Sequence, residues 1–297
     1  LWSHAELQGL RPADPLRMET ALVNRILPFS SVDGPGNRTA VFFQGCNFDC
    51  RYCHNPETIR LCVSCGACLP YCKTGALSLQ DGHVTYDFSK CVFCDECFRH
   101  CPNSSSPRVR RMTAVQVMDE VKRNLPFIRG ITVSGGECTQ QRDFLLALLT
   151  LAKAEGLGTL LDSNGSYDFS ADPALLAVTD GVMLDVKAWS PDEHLRITGQ
   201  TNAMVRQNLS FLAASGKLTE VRTVIVPGLF DVRETVRETA RAIAPFLSVG
   251  NVRCKIIRYR PQGVRPAYRS MTEPDDALLA ELRALAEREG LPDVVTT

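Results

Sequence analysis

Six short apolar runs recur along the chain, at residues 39–43, 130–134, 158–162, 181–185, 220–226 and 252–259. Most are nearly continuous in Val, Ile, Leu, Phe or Met, as strands buried on both faces read. Between them the apolar positions take a helical period. Val232, Val236, Ala240 and Ile243 share one helical face, as do Leu278, Leu282 and Leu285. Thr113-x-x-Gln116 and Ser190-Pro191-Asp192-Glu193 predict capping boxes, and Gly156, Gly216 and Gly290 fall where helices end. Strands alternating with helices predict an α/β fold around a parallel sheet. Periodicity does not separate an open doubly wound sheet from a barrel.

Each run ends in polar or cysteine-rich residues. The first leads into Cys46–Cys53. The others end in Ser134-Gly135-Gly136-Glu137, Asp162-Ser163-Asn164-Gly165, Asp185-Val186-Lys187, Pro227-Gly228 and Tyr259-Arg260. In parallel α/β folds the chemistry sits at the C-terminal ends of the strands. Taken singly, Gly135-Gly136 reads as a turn and Lys187 as a surface lysine. Together they predict one site at the mouth of the sheet.

Cys46-x3-Cys50-x2-Cys53 puts three thiols on a short loop. Thiolates select soft centres, and a site with three protein ligands keeps one position open. We read this as a [4Fe–4S] cluster with one free iron. The alternatives are three structural thiols, or a zinc loop with a fourth ligand such as His54.

Residues 61–106 carry an internal repeat, Cys62-x2-Cys65-x2-Cys68-x3-Cys72 and then Cys91-x2-Cys94-x2-Cys97-x3-Cys101-Pro102. This is the run of bacterial ferredoxins, in which the fourth cysteine ligates the other cluster. It predicts two further [4Fe–4S] clusters, one on Cys62, Cys65, Cys68 and Cys101, the other on Cys72, Cys91, Cys94 and Cys97. Two zinc sites are the competing reading. The first run ends in Cys72-Lys73 rather than Cys-Pro. Asp81-Gly82 predicts a hairpin between the runs. We expect a ferredoxin-like α+β domain at 58–106, inserted into a body formed by 18–57 and 107–297. The remaining thiols, Cys138 and Cys254, read as small buried hydrophobes.

Composition narrows the class. A chain of 297 residues with 44% apolar residues can bury a sizeable core, and a formal net charge of zero leaves no footprint for nucleic acid or an anionic membrane. Arg108, Arg110 and Arg111 read as a solvated patch. No apolar run reaches the 18 residues of a membrane span. Thirteen cysteines without an evident secretory signal read as metal ligands rather than disulfides. Residues 1–17, with Pro12 and Pro15, read as a disordered leader outside the fold.

Cys46-x3-Cys50-x2-Cys53, with Tyr52 before the last cysteine, resembles the signature of the radical S-adenosylmethionine (SAM) enzymes. Asp33-Gly34-Pro35-Gly36, Gln44-Gly45 and Cys53-His54-Asn55-Pro56 resemble, more narrowly, the activases that install a glycyl radical in partner enzymes, the YjjW group among them. The similarity runs with gaps from about Ala21 to about Arg260. It implies a partial (β/α)6 barrel, SAM as cofactor and a glycyl radical enzyme as protein substrate. By resemblance, Gly135, Gly136 and Glu137 contact the SAM amino group, Asp185, Val186 and Lys187 its polar groups, and Tyr52 and His54 flank adenine. Asp162 and Ser163 match positions that help hold a monovalent cation. Asp33 and Arg222 match positions near the partner's glycine loop. Arg260 departs from the family, which commonly has His after an aromatic residue there. A guanidinium can donate to ribose or carboxylate but cannot accept as a neutral imidazole does.

The implied reaction is one-electron cleavage of SAM to methionine and a 5′-deoxyadenosyl radical, which takes hydrogen from a backbone glycine of the partner. It implies a low-potential electron donor such as flavodoxin or ferredoxin, clusters of the insert that relay electrons or stiffen a docking surface, and an anaerobic cytoplasm. The alternatives are a radical SAM enzyme acting on a small molecule or peptide, and a non-catalytic iron–sulfur carrier or sensor.

Overall fold

The computed structural model describes residues 20–297; the leader expected at 1–17 lies outside the described residues. The chain enters through an antiparallel pair, β1 (Thr20–Ser30) and β2 (Arg38–Phe43). The cysteine loop and the insert follow, and the insert contains the hairpin β3 (Leu77–Gln80) and β4 (His83–Tyr86) and one turn of helix, α1 (Glu96–Arg99). Asp81 and Gly82 take φ of 49° and 78°, the left-handed pair that a two-residue hairpin turn needs.

The chain returns through β5 (Arg110–Thr113) and α2 (Ala114–Lys122). It then alternates β6 (Gly130–Gly135), α3 (Arg142–Ala154), β7 (Gly158–Ser163), α4 (Pro173–Ala177), β8 (Gly181–Asp185), α5 (Pro191–Thr198), α6 (Ala203–Ala214), β9 (Leu218–Ile225), α7 (Val232–Ile243), β10 (Arg253–Arg258), α8 (Asp276–Arg288) and β11 (Asp293–Thr296). One nine-stranded sheet results, ordered β11-β10-β9-β8-β7-β6-β2-β1-β5. From β2 to β11 every pairing is parallel. All six expected strands are present, within two residues of their expected ends.

The parallel strands carry apolar side chains on both faces because helices cover one face and the enclosed interior covers the other. Ile131, Val133, Leu161, Val182 and Leu184 are fully buried. Phe43 meets Phe144 of α3 edge-on at 5.4 Å. At the N-terminal end of the sheet the buried Arg38 donates to Thr132 Oγ1 (2.9 Å) and to the carbonyls of Ile131 and Gly158 (2.8 Å each). It thus ties β2 to β6 and β7. Burial lowers its pKa to about 10, against the pull of Asp180.

Three strands escaped sequence reading. β1 carries Asn24, Arg25 and Pro28 in its middle, β5 is Arg-Arg-Met-Thr, and β11 spans four residues near the C-terminus. β5 and β11 lie at the sheet edges and β1 next to one, where polar side chains cost little.

Two local expectations need correction. Ser190 precedes α5 without a side-chain capping bond. Glu193 accepts instead from the Asp231 amide at 3.1 Å, tying the start of α5 to α7. Of the arginines at 108, 110 and 111, Arg111 is exposed as expected, but Arg108 and Arg110 are not solvated. Arg108 pairs with Asp95 at 2.6 Å and lies over Phe93, and Arg110 pairs with Glu120 at 2.5 Å and lies over Phe88. They fasten the insert to the body. The Thr113 box forms with both of its bonds, and Cys138 and Cys254 are buried.

Candidate active site

Residues at or just beyond the ends of six successive parallel strands converge on one cavity of about 190 Å³. Its roof is the loop after β2. Cys46, Cys50 and Cys53 all line it, with Tyr52 and His54 beside them. The loop is held from several sides. The Cys46 amide donates to the Ile59 carbonyl (3.0 Å), and the Asp49 and Arg51 amides donate to the last carbonyls of α5, at Thr198 (2.8 Å) and Ile197 (3.1 Å). The Phe48 amide reaches Cys46 Sγ at 3.4 Å, and Asn164 Nδ2 stands 3.8 Å from the same sulfur.

Burial raises all three thiols, Cys53 to about 12. Lys187 and Arg265 pull Cys50 back, next to the effect of burial. Buried thiols of this kind ionise only against a bound cation or cationic cluster. Zinc would hold its thiolates about 3.8 Å apart, given bonds of about 2.3 Å in tetrahedral geometry. Among the described residues, no group of three or more His, Cys, Asp or Glu could hold one metal ion. His54 is not poised as a fourth ligand, because its Nε2 lies 3.0 Å from the Arg260 carbonyl. Three thiols around a cavity, with an open side facing polar strand ends, fit a group larger than a single ion.

Opposite the thiols stand Ser134, Gly135, Gly136, Asp162, Ser163, Asp185 and Lys187. A Cβ on Gly136 would stand 2.1 Å from the Gly45 carbonyl oxygen, and one on Gly135 2.2 Å from the Phe43 backbone. The Gly-Gly pair thus lets β6 approach the root of the cysteine loop as well as line the cavity. Lys187 pairs with Asp185 at 2.6 Å. Desolvation opposes its charge, but Asp185, Cys50 and Tyr52 hold its pKa well above the usual lysine value. Tyr52 OH lies 3.3 Å from the Lys187 carbonyl.

Other expected residues fall elsewhere. The buried Glu137 carboxylate accepts from Thr139 Oγ1 (2.7 Å) and amide (3.2 Å), Ser163 Oγ (3.0 Å) and the Asn164 amide (2.7 Å), and it does not line the cavity. It holds the end of β7 against the end of β6. Val186 is buried and Arg260 is exposed, and neither lines the cavity. Asp33 accepts from Ser30 Oγ at 2.5 Å, and its carbonyl accepts from Thr132 Oγ1 at 2.5 Å, on the enclosed side of the sheet. Arg222 sits at the cavity floor, 8% exposed, paired with Asp162 at 3.0 Å and with Glu220.

The sequence reading assigned no role to Asn164, Ser134, Asn47 or Arg265. Ser134 donates to Asp162 (2.9 Å) and Asn47 to Ser166 (2.8 Å). Ser134 and Asn164 stood in polar strand ends and could have been weighed. Arg265 carries no local signal.

Residues 61–106 bring several of their cysteines close together. Cys72, Cys91, Cys94 and Cys97 line a second cavity, of about 310 Å³. The Cys68 thiol is raised by burial and further by Cys62, Cys101 and Cys65, and the Cys97 thiol by burial and, among other neighbours, by Cys68 and Cys91. The two halves repeat one turn, with the Ser64 amide 3.4 Å from Cys62 Sγ and the Phe93 amide 3.4 Å from Cys91 Sγ, both residues at positive φ.

A three-thiol loop over the open end of a mostly parallel α/β sheet defines a class, and comparison names it. Residues 40–243 match the radical SAM superfamily. The chain is 34% identical to a pyruvate formate-lyase-activating enzyme of Streptococcus mutans, over 83% of this chain and 86% of that one. It is 30% identical to an indoleacetate decarboxylase activating enzyme of Tractidigestivibacter scatoligenes, over 93% and 97%. The fold is shared with QueE from Escherichia coli, at a TM-score of 0.52 and 10% identity, over 97% of this chain and 99% of that one. The chain belongs to the radical SAM superfamily and, within it, to the activating enzymes of glycyl radical enzymes.

Proposed function

We propose that the chain activates a glycyl radical enzyme, with Cys46, Cys50 and Cys53 holding a [4Fe–4S] cluster and the strand ends holding SAM. The observation that carries this is the single cavity shared by three thiols and the polar ends of β6, β7 and β8. When bound, the cluster supplies one electron to SAM, whose cleavage yields the radical that takes hydrogen from a backbone glycine of the partner. Everything else is positioning by this chain.

Gly135 and Gly136 offer backbone to the methionine end. Asp185 and Lys187 present a paired acid and base to the SAM amino and carboxylate groups. Tyr52 and His54 bound the adenine side. Glu137 acts through Ser163 and Asn164, since its carboxylate is taken up by four protein donors. Asp162 and Ser163 are candidates for a monovalent cation, with the Arg222 guanidinium beside Asp162. Arg222 would face the partner's glycine loop from the cavity floor, and Asp33 would act on it only indirectly, from beneath the cavity. Exposed Arg260 serves through its carbonyl, which orients His54.

The whole is a partial (β/α)6 barrel of 18–57 and 107–297, interrupted by a ferredoxin-like insert at 58–106. Its two thiol groups would each hold a [4Fe–4S] cluster and relay electrons from a low-potential donor such as flavodoxin or ferredoxin. The chemistry suits an anaerobic cytoplasm, and among the described residues no helix is long and apolar enough to cross a membrane.

Anaerobic reconstitution tests this reading. About twelve irons per chain are expected, at four per cluster, falling by about four in a Cys46→Ala/Cys50→Ala/Cys53→Ala variant that also makes no 5′-deoxyadenosine from SAM. Zinc in place of iron, or iron unchanged in the variant, would sink it.

A further inference from the structure

The segment that follows β10 returns to the cysteine loop and grips it. Arg265 Nη1 donates to Asp49 Oδ1 at 2.6 Å, and Nη2 donates to the Cys50 carbonyl at 2.8 Å and the Asp49 carbonyl at 3.1 Å. Its side chain is 11% exposed and packs over Tyr268. Its Nε is buried without a hydrogen-bond partner, so all its hydrogen bonds go to the cysteine loop. Asp49 is also reached by Arg60, at the neck of the insert, at 3.2 Å.

We propose that Arg265 is a positioning residue for the cysteine loop, resting on the reading that Cys46, Cys50 and Cys53 hold the site cluster. Its two-pronged grip orients the Asp49-Cys50 peptide and hence the Cys50 thiolate. The Arg265–Asp49 pair also balances charge beside that ligand. A positive charge near a cluster favours its reduced form, and a negative charge disfavours it. Removing either member changes the charge beside Cys50, although Asp49 keeps its second partner, Arg60.

The two halves of the pair therefore shift the cluster in opposite directions. In Arg265→Ala the loss of the guanidinium charge, with Asp49 left to Arg60 alone, moves the midpoint potential of the site cluster more negative. In Asp49→Asn the bared Arg265 moves it more positive. Arg265→Lys keeps the charge but loses the fork, and brings the potential back towards the parent without restoring the parental line shape.

The measurement is an EPR-monitored redox titration of the reconstituted full-length protein. The part of the reduced signal that changes on adding SAM isolates the open cluster from the other two. Opposite shifts in Arg265→Ala and Asp49→Asn support the inference. Shifts of one sign, or a parental potential and line shape in both, overturn it. If Arg265→Ala does not fold, Asp49→Asn decides alone, with a positive shift supporting and no shift overturning. A parent without any SAM-dependent signal fails the cluster-site reading itself, a result distinct from either.

Discussion

From β6 to β9 the sheet buries Ile131, Val133, Leu161, Val182, Leu184 and Ile225 completely, beneath helices whose inner faces are equally apolar. Between residues 61 and 106 only Cys68, Ala76, Leu77 and Cys97 are buried among the apolar side chains. Leu61, Val63, Tyr71, Leu79, Phe88, Val92 and Phe93 stand exposed there. All five non-glycine residues at positive φ among the described residues, Ser64, Asp81, Phe93, Asp95 and Ser104, lie in the same segment. Left-handed backbone at such residues is costly unless the surroundings demand it. The mostly parallel sheet and its helices are held by burial, which the chain supplies itself. The insert has too little core for that, and its backbone is bent towards sulfur. Small units of this kind depend on bound metal for their folding free energy.

Removing iron should break the comparison most visibly. With the protein chelated under reducing conditions, limited proteolysis should cut within 61–106 while the rest of the described chain stays resistant. Equal resistance of the two regions without iron would show that the insert folds on its own contacts.

Next in size is Phe144→Ala, which empties a fully packed site against Phe43. It should cost the fold about 3–5 kcal/mol in urea unfolding. A loss under about 1 kcal/mol would mean that the core beside the sheet is looser than its burial indicates.

A smaller effect comes from His194, which is fully buried, edge-on to Phe48 of the cysteine loop, with Nδ1 on the Gln200 carbonyl. Burial lowers its pKa, so the native state resists the proton that the unfolded chain accepts below about 6.5. Its contribution is fully present above that pH and is lost as pH falls through it, levelling off below the lowered folded value. The melting temperature of the parent should drop more steeply between neutral and mildly acid pH than that of His194→Asn. Parallel curves would remove His194 from the account.

The smallest expectation is Leu79→Ala on the exposed hairpin, within about 0.5 kcal/mol of the parent. A larger loss would reveal packing of the insert that burial does not record.

Much of this was legible beforehand because covalent spacing carries it. Cys46-x3-Cys50-x2-Cys53 and the two four-cysteine runs could be read without knowing a single long-range contact. The parallel strands announced themselves because burial on both faces leaves them no room for polar alternation. β1, β5 and β11 did not, since strands at or near an edge tolerate the polar residues that disguise them. The arginines at 108 and 110 were misread for a related reason. A cluster of charge looks solvated until the aromatic rings and carboxylates that will meet it are known.

The direction in which a polar side chain faces was decided by packing alone. Glu137 and Lys187 follow strand ends that look equally promising in the chain, yet one turns into a cage of protein donors while the other opens onto the cavity. Arg222 and Val224 replaced the expected Pro227-Gly228 as the contribution of β9, because alternate residues of a strand face opposite sides and these two face inward. Arg265 meets Asp49 across 216 residues. Local sequence sets spacing, propensity and the number of thiols. It cannot set which distant groups share a hydrogen bond, because that depends on how the whole sheet curls and where the last loop returns.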